Sequence, residues 1–185
     1  MEHLGTKTLY TDRLVLRKLT LRDAKKMFLN WASNPNVTKY LSWPTHENIE
    51  VTKNILSIWK ENYKNDNYYQ WGIVLKENNE LIGSISVVNI NENIQEVEIG
   101  YCLAEKYWNK GITSEAFKEV IRFMFLEVKV NRIAACHDIN NPNSGKVMLK
   151  CNLKYEGTLR QKGLRSSNKL CDLAYYSILK EEYTN

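Results

Sequence analysis

Long apolar runs are missing from this chain of 185 residues, and nothing in it approaches the ~20 residues that a membrane-crossing helix needs. The opening "MEHLGTKTLYTDR" lacks the basic-then-apolar build of a signal peptide, so a cytoplasmic location without membrane contact is expected. Proline and glycine are sparse, at 3 and 8 residues, and no Pro/Gly-rich linker, repeat or low-complexity tract divides the chain. One domain over residues 1–185 is expected, large enough to bury a real core. The four cysteines, Cys102, Cys136, Cys151 and Cys171, form no C-x-x-C pair and read as free thiols of a reducing compartment. His3, His46 and His137 are scattered and match no ligand spacing, so no metal is expected. Both G-x-G-x-x-G and G-x-x-x-x-G-K-[ST] are absent, which argues against dinucleotide and P-loop folds. No zinc-finger or aromatic-basic RNA-binding signature occurs.

What is present is ordinary for a globular protein: 43% hydrophobic and 25% charged residues, with a net charge of +5 that suits an anionic ligand. "DRLVLRKL" alternates and reads as a strand. Thr20 caps a helix with Asp23 as a capping-box variant, Ala24, Met27, Phe28 and Trp31 form its stripe, and "SNPN" stops it. A second helix is predicted from about Glu47 to Tyr63. "YYQWGIVL", "LIGSISVVNI" and "QEVEIGYCL" read as three strands, followed by a helix from about Thr113 to Glu127. "RIAACHD" reads as a strand, "NSGKVMLKC" as a helix, and "LKYEGTLR" and "DLAYYSIL" as closing strands. The order β-α-α-β-β-β-α-β-α-β-β predicts an α+β fold whose mixed sheet is mostly antiparallel.

Three stretches could carry chemistry. In "YWNKGITSEA", Gly111 precedes a long helical pattern; the junction is either an ordinary loop or a set of unpaired N–H groups that attracts phosphate. In "EVEIGYCL", Val97, Ile99, Tyr101 and Leu103 share one face, and Glu96, Glu98, Gly100 and Cys102 share the other. The two glutamates are solvated edge residues, or one of them is tuned as a general base. In "NNPNSGKVMLKCNLKYEG", Asn141 and Ser144 stand at a helix entry as caps or ligand contacts. Lys146 and Lys150 share a face there as a solvated pair or phosphate contacts, and Asn152 suits a left-handed cap with Leu153 folding back. Helical spacing assigns Trp31 and Trp59 to packing and leaves Tyr40 and Trp43 open. "RQKGLRSSNK" carries Arg160, Lys162, Arg165 and Lys169, either as a solvated loop or as a nucleic-acid contact.

Taken together, these segments resemble the GNAT superfamily of acetyl-CoA-dependent N-acetyltransferases, most closely its RimJ/RimL-type branch. "TDRLVLRKLTLRDA", "EIGYCL", "YWNKGITSEA" and "NRIAACHDINNPNSGKVMLKCNLKYEGTLR" follow the family's order over nearly the whole chain. The resemblance implies a GNAT sheet of about seven strands flanked by about four helices. It implies that acetyl-CoA is the co-substrate, without metal. The backbone of Tyr101, Cys102 and Leu103 would pair with the pantetheine arm. Trp108, Asn109, Lys110, Gly111, Ile112, Thr113 and Ser114 would form the pyrophosphate loop. Asn141 and Lys146 would contact the cofactor, Ser144 would give a proton to the departing thiolate, and Glu98 falls at the position of the general base. The implied acceptor is a small-molecule amine or a protein N-terminus, with nucleic acid involved only through a ribosomal-protein substrate, and the implied assembly includes a homodimer. The sequence departs from the pattern at Trp108, Asn109, Thr113 and Asn152–Leu153, which leaves a non-catalytic acyl-CoA-binding module as the alternative.

Overall fold

In the computed structural model, which describes residues 1–184, the apolar alternation of the strands is resolved into one eight-stranded sheet. The strands are β1 (Leu9–Tyr10), β2 (Leu14–Arg17), β3 (Gln70–Leu75), β4 (Glu80–Asn91), β5 (Glu96–Leu103), β6 (Arg132–Asp138), β7 (Lys154–Leu164) and β8 (Leu170–Leu179). They lie in the order β1-β2-β3-β4-β5-β6-β8-β7, and every junction is antiparallel except that of β5 with β6. The strand missed by pattern is β1, whose two residues are too short to show an alternation.

The helices are α1 (Ala24–Met27), α2 (Pro35–Thr38), α3 (Ile49–Asn62), α4 (Ile112–Phe123) and α5 (Pro142–Lys150). Thr20 and Asp23 form the expected capping box, and Arg17 grips the same carboxylate with two N–H groups at 2.8 and 2.9 Å. "SNPN" does not simply end the helical region. Asn34 accepts from Asn36 N and Pro35 sits in the first turn, so the stretch stops one helix and starts α2. α3 begins at an Asn48 cap that accepts from Glu50 N and Val51 N. α4 is α-helical to Phe123 and continues as a wider π-helical turn over Met124–Val128, so the helical stretch ends one residue past the predicted Glu127.

Two apolar clusters cover the two faces of the sheet. Trp71, Val97, Ile99, Phe117, Phe123 and Ile133 belong to the α4 and α5 side. Trp31, Met27, Leu56, Val74 and Leu81 belong to the α1 and α3 side, where Trp59 and Trp43 also pack. Trp31 is fully buried, as its helical spacing requires. Among the described residues, no helix is long and apolar enough to cross a membrane.

At the end of α5, Asn152 has φ +64°. Its N–H donates to Leu149 O at 3.0 Å, and the N–H of Leu153 donates to Met148 O at 3.1 Å. This is the double bond of a Schellman closure, and buried Leu153 supplies the apolar contact. Replacing Asn152 by Val should destabilise the fold by about 1–2 kcal/mol, because a branched side chain resists the left-handed region, whereas Asn152→Gly should be neutral or better. Urea midpoints of the two variants check this; equal midpoints would contradict it.

Candidate active site

β5 and β6 are register partners only at Glu96–Arg132, Val97–Ile133 and Glu98–Ala134. Beyond Glu98 the strands part, and the edge of β5 faces open space. Ala104 N donates to Ile82 O on β4, so alternation turns the backbone groups of Tyr101 and Leu103 toward the parting. One of those groups is taken: Trp108 Nε1 donates to Leu103 O at 2.7 Å. The opening continues into a cleft of about 540 Å³ lined by Tyr101, Cys102, Leu103, the 107–114 segment, Asn141, Ser144, Lys146 and Lys150. Every position expected to hold a cofactor borders this cleft.

The floor of one end is the entry to α4. Gly111 is the residue before the helix and has φ +73°, a conformation that strains any residue with a Cβ. Asn109 is also left-handed, at φ +61°, which asparagine adopts more readily than most residues. The first N–H groups of a helix have no partner inside it. Glu115 N donates to Gly111 O, and no loop or side-chain acceptor takes the N–H groups of Ile112, Thr113 or Ser114 among the described residues. The loop is fixed from behind. Glu115 accepts from Arg13 N at 2.9 Å and from Arg13 Nε at 2.6 Å, and Arg13 in turn donates to Lys110 O at 3.1 Å. Burial favours the neutral form of Glu115, but the Thr11 hydroxyl and Arg13 outweigh it and hold the carboxyl below its usual range. Lys110, Lys146 and Lys150 reach the cleft with no ion-pair partner among the described residues, so the field there is positive.

The opposite wall is the start of α5. Tyr101 OH crosses the parting and donates to Ser144 O at 2.9 Å, while its ring packs on Phe117; burial raises this phenol well above its usual range. Asn141 stands at the cap position, but its side chain does not cap the helix. Its amide Nδ2 donates to Ser144 Oγ at 3.3 Å, which corrects the reading of these two residues as ordinary caps. Gly145 was not singled out by sequence pattern. A Cβ there would lie 2.6 Å from His137 Nε2 and 3.1 Å from the Tyr176 hydroxyl, so the glycine lets α5 sit close on β6 and β8. A glycine inside a helical run was the available signal.

The two glutamates of β5 have different surroundings. Glu96 is bound by Arg132, which also donates to both oxygens of Glu156 at 2.7 and 2.6 Å. Glu98 is at the last rung before the parting, half-buried, with no cation partner among the described residues. Its Oε1 accepts from Cys136 Sγ at 3.1 Å. It borders the opening from the sheet face opposite α4, outside the cleft walls proper.

Tyr40 and Leu41 close the far rim of the cleft. Arg165, from the β7–β8 loop, lies 5.3 Å from the centre of the Tyr40 ring, and Ser166 N donates to Leu41 O at 3.1 Å. Arg165 is held by the buried carboxylate of Asp138. Part of "RQKGLRSSNK" is thus a docked rim rather than a free basic loop.

A family profile described as the acetyltransferase (GNAT) domain matches residues 13–154. The chain is 32% identical over 176 residues to p20 of Bacillus licheniformis, described as an uncharacterized N-acetyltransferase, with 95% of this chain and 98% of the relative covered. A GNAT-family acetyltransferase from Bacillus anthracis superposes with a TM-score of 0.82 at 30% identity, covering 95% of this chain and 100% of that one. RimL, a ribosomal L7/L12 α-N-protein acetyltransferase solved in complex with coenzyme A, superposes with a TM-score of 0.83 at 18% identity, covering 94% and 98%, which is a likeness of fold. The chain belongs to the GNAT acetyltransferase family, whose members are acetyl-CoA-dependent acyltransferases. Its relatives include ribosomal-protein N-acetyltransferases of the RimJ/RimL type.

The rim gives a pH prediction. Burial favours neutral Asp138, but Arg165 and the N–H groups of Asn140 outweigh it and hold the carboxyl at about 2. This lies below the ~3.9 of an unfolded aspartate, so the stabilisation is complete above about pH 4 and is lost as pH falls through about 2. Asp138→Asn should lower the urea midpoint at neutral pH, and the gap to the unchanged chain should close on acidification. A gap that stays constant down to about pH 2 would contradict the pairing.

Proposed function

We propose that this chain, acting as one domain, transfers the acetyl group of acetyl-CoA to a primary amine by direct attack, the amine being a protein N-terminus or a small molecule. The observation that carries the reading is the open β5 edge running into the unpaired N–H groups of the α4 entry. An extended polar arm ending in a pyrophosphate fits that sequence of groups: strand edge first, helix N-terminus next, free lysines around it. When bound, acetyl-CoA supplies an activated acetyl thioester.

The protein's own residues then have distinct tasks. The N–H groups of Ile112, Thr113 and Ser114 would hold the anionic end, with Lys110 and Lys146 beside it. The open backbone of Tyr101 and Leu103 would orient the arm. Ser144 Oγ accepts from Asn141, which leaves its own proton free for the departing sulfur. A primary amine is protonated at neutral pH and must lose a proton before it attacks. Glu98 is the better base of the pair, because Glu96 is occupied by Arg132. The departures at Asn109 and Asn152 both fall on left-handed positions, which asparagine tolerates, so neither disturbs the loop or the end of α5.

A panel of amines, antibiotics and N-terminal peptides, read by thiol release from acetyl-CoA, tests the activity; no release with any of them would overturn the reading. Gly111→Val should abolish acetyl-CoA binding in calorimetry through its strained φ and the added bulk at the loop. Normal affinity in that variant would remove the loop from the site. Glu98→Gln should lower kcat/KM by about 10²–10⁴ and flatten the acid limb of the pH profile, with Glu96→Gln changing little. The reverse pattern would move the base to Glu96.

A further inference from the structure

The tasks above leave Cys136 unused. It lies on β6 two residues past Ala134, the register partner of Glu98, and its thiol donates to Glu98 Oε1 at 3.1 Å. On the next strand, Tyr175 is the register partner of Cys136. One face of β5, β6 and β8 thus carries the row Glu98, Cys136, Tyr175. Other charged groups on this face are Glu96 of β5, Arg132 and Asp138 of β6, and Lys154 and Glu156 of β7; Arg132 joins Glu96 to Glu156, Arg165 holds Asp138, and Glu182 holds Lys154. The thiol of Cys136 is the donor that Glu98 retains.

A thiol beside a carboxylate has two chemical uses, as a nucleophile or as a donor. Burial, and then the neighbouring Glu98, push the Cys136 thiol up to about 12. At neutral pH the sulfur stays protonated, which makes it a poor nucleophile and a lasting donor. We propose that Cys136 is a positioning residue, whose S–H fixes the orientation of the Glu98 carboxylate. This rests on the reading of Glu98 as the base. The physical reason is that a fixed donor removes rotamers that point the oxygens elsewhere. Serine at this position keeps a donor, and alanine or valine removes it.

Carbon-13 NMR of the glutamate carboxyls in the full chain tests the orientation, with the Glu98 signal identified by its loss in Glu98→Gln. Cys136→Ala should move and broaden the Glu98 carboxyl signal at neutral pH, and Cys136→Ser should leave it near its original position. Cys136→Val serves as the donor-free variant if alanine does not fold. Thiol-release kinetics test its consequence, using each panel amine that the unchanged chain acetylates. Cys136→Ala should lower kcat severalfold with KM for acetyl-CoA unchanged, and Cys136→Ser should restore kcat. An unmoved Glu98 carboxyl signal in a folded donor-free variant, or equal losses for serine and alanine, overturns the positioning role alone. Full turnover in Glu98→Gln overturns the base reading and the positioning role with it.

Discussion

β5 and β6 share three register pairs and then separate, and the polar backbone exposed by that separation constrains everything around it. A buried N–H or C=O without a partner is costly, so an edge opened inside a sheet must meet water, a side chain or a ligand. Here the Trp108 indole takes the Leu103 carbonyl and the Tyr101 hydroxyl bridges to Ser144 O, while the rest of the edge faces the cleft. The parting also places Glu98, on the last paired rung, at the vertex of the opening.

The elements beside the opening are braced from outside rather than from within. α4 is tied to the β1–β2 turn through Glu115 and Arg13, which keeps the Lys110 carbonyl turned outward and the helix N–H groups turned in. α5 sits close on β6 because Gly145 leaves room for His137, and Cys151 Sγ donates to Ser114 O, joining the end of α5 to the start of α4. The far rim depends on Asp138, which fixes Arg165 beside Tyr40. Each brace uses groups that do not themselves face the ligand side.

Local chemistry was legible in the sequence wherever the deciding contacts were local. The alternation of "EVEIGYCL" separated Ile99 from Glu98, Asn152 marked a left-handed helix end, and Gly111 marked the turn into α4. The order of elements followed from changes of period, apart from the two-residue β1 and the short α2 begun by Asn34 and Pro35. What pattern could not supply was partnership at long range. Arg132 lies 36 residues from Glu96, Cys136 lies 38 from Glu98, and Arg13 lies 102 from Glu115. Neighbouring glutamates look equivalent until such partners divide them. The same holds for Asn141 and Ser144, whose spacing suggests caps and whose side chains instead bond each other.

The central claim is that acetyl-CoA fills the parting of β5 and β6 and the N-terminal end of α4. Amide hydrogen–deuterium exchange with and without acetyl-CoA addresses it residue by residue. The account predicts slower exchange on adding acetyl-CoA at Tyr101, Leu103 and the amides from Gly111 through Ser114, with the β7 edge unchanged. Unaltered exchange at saturating acetyl-CoA, or slowing confined to other segments, would contradict it.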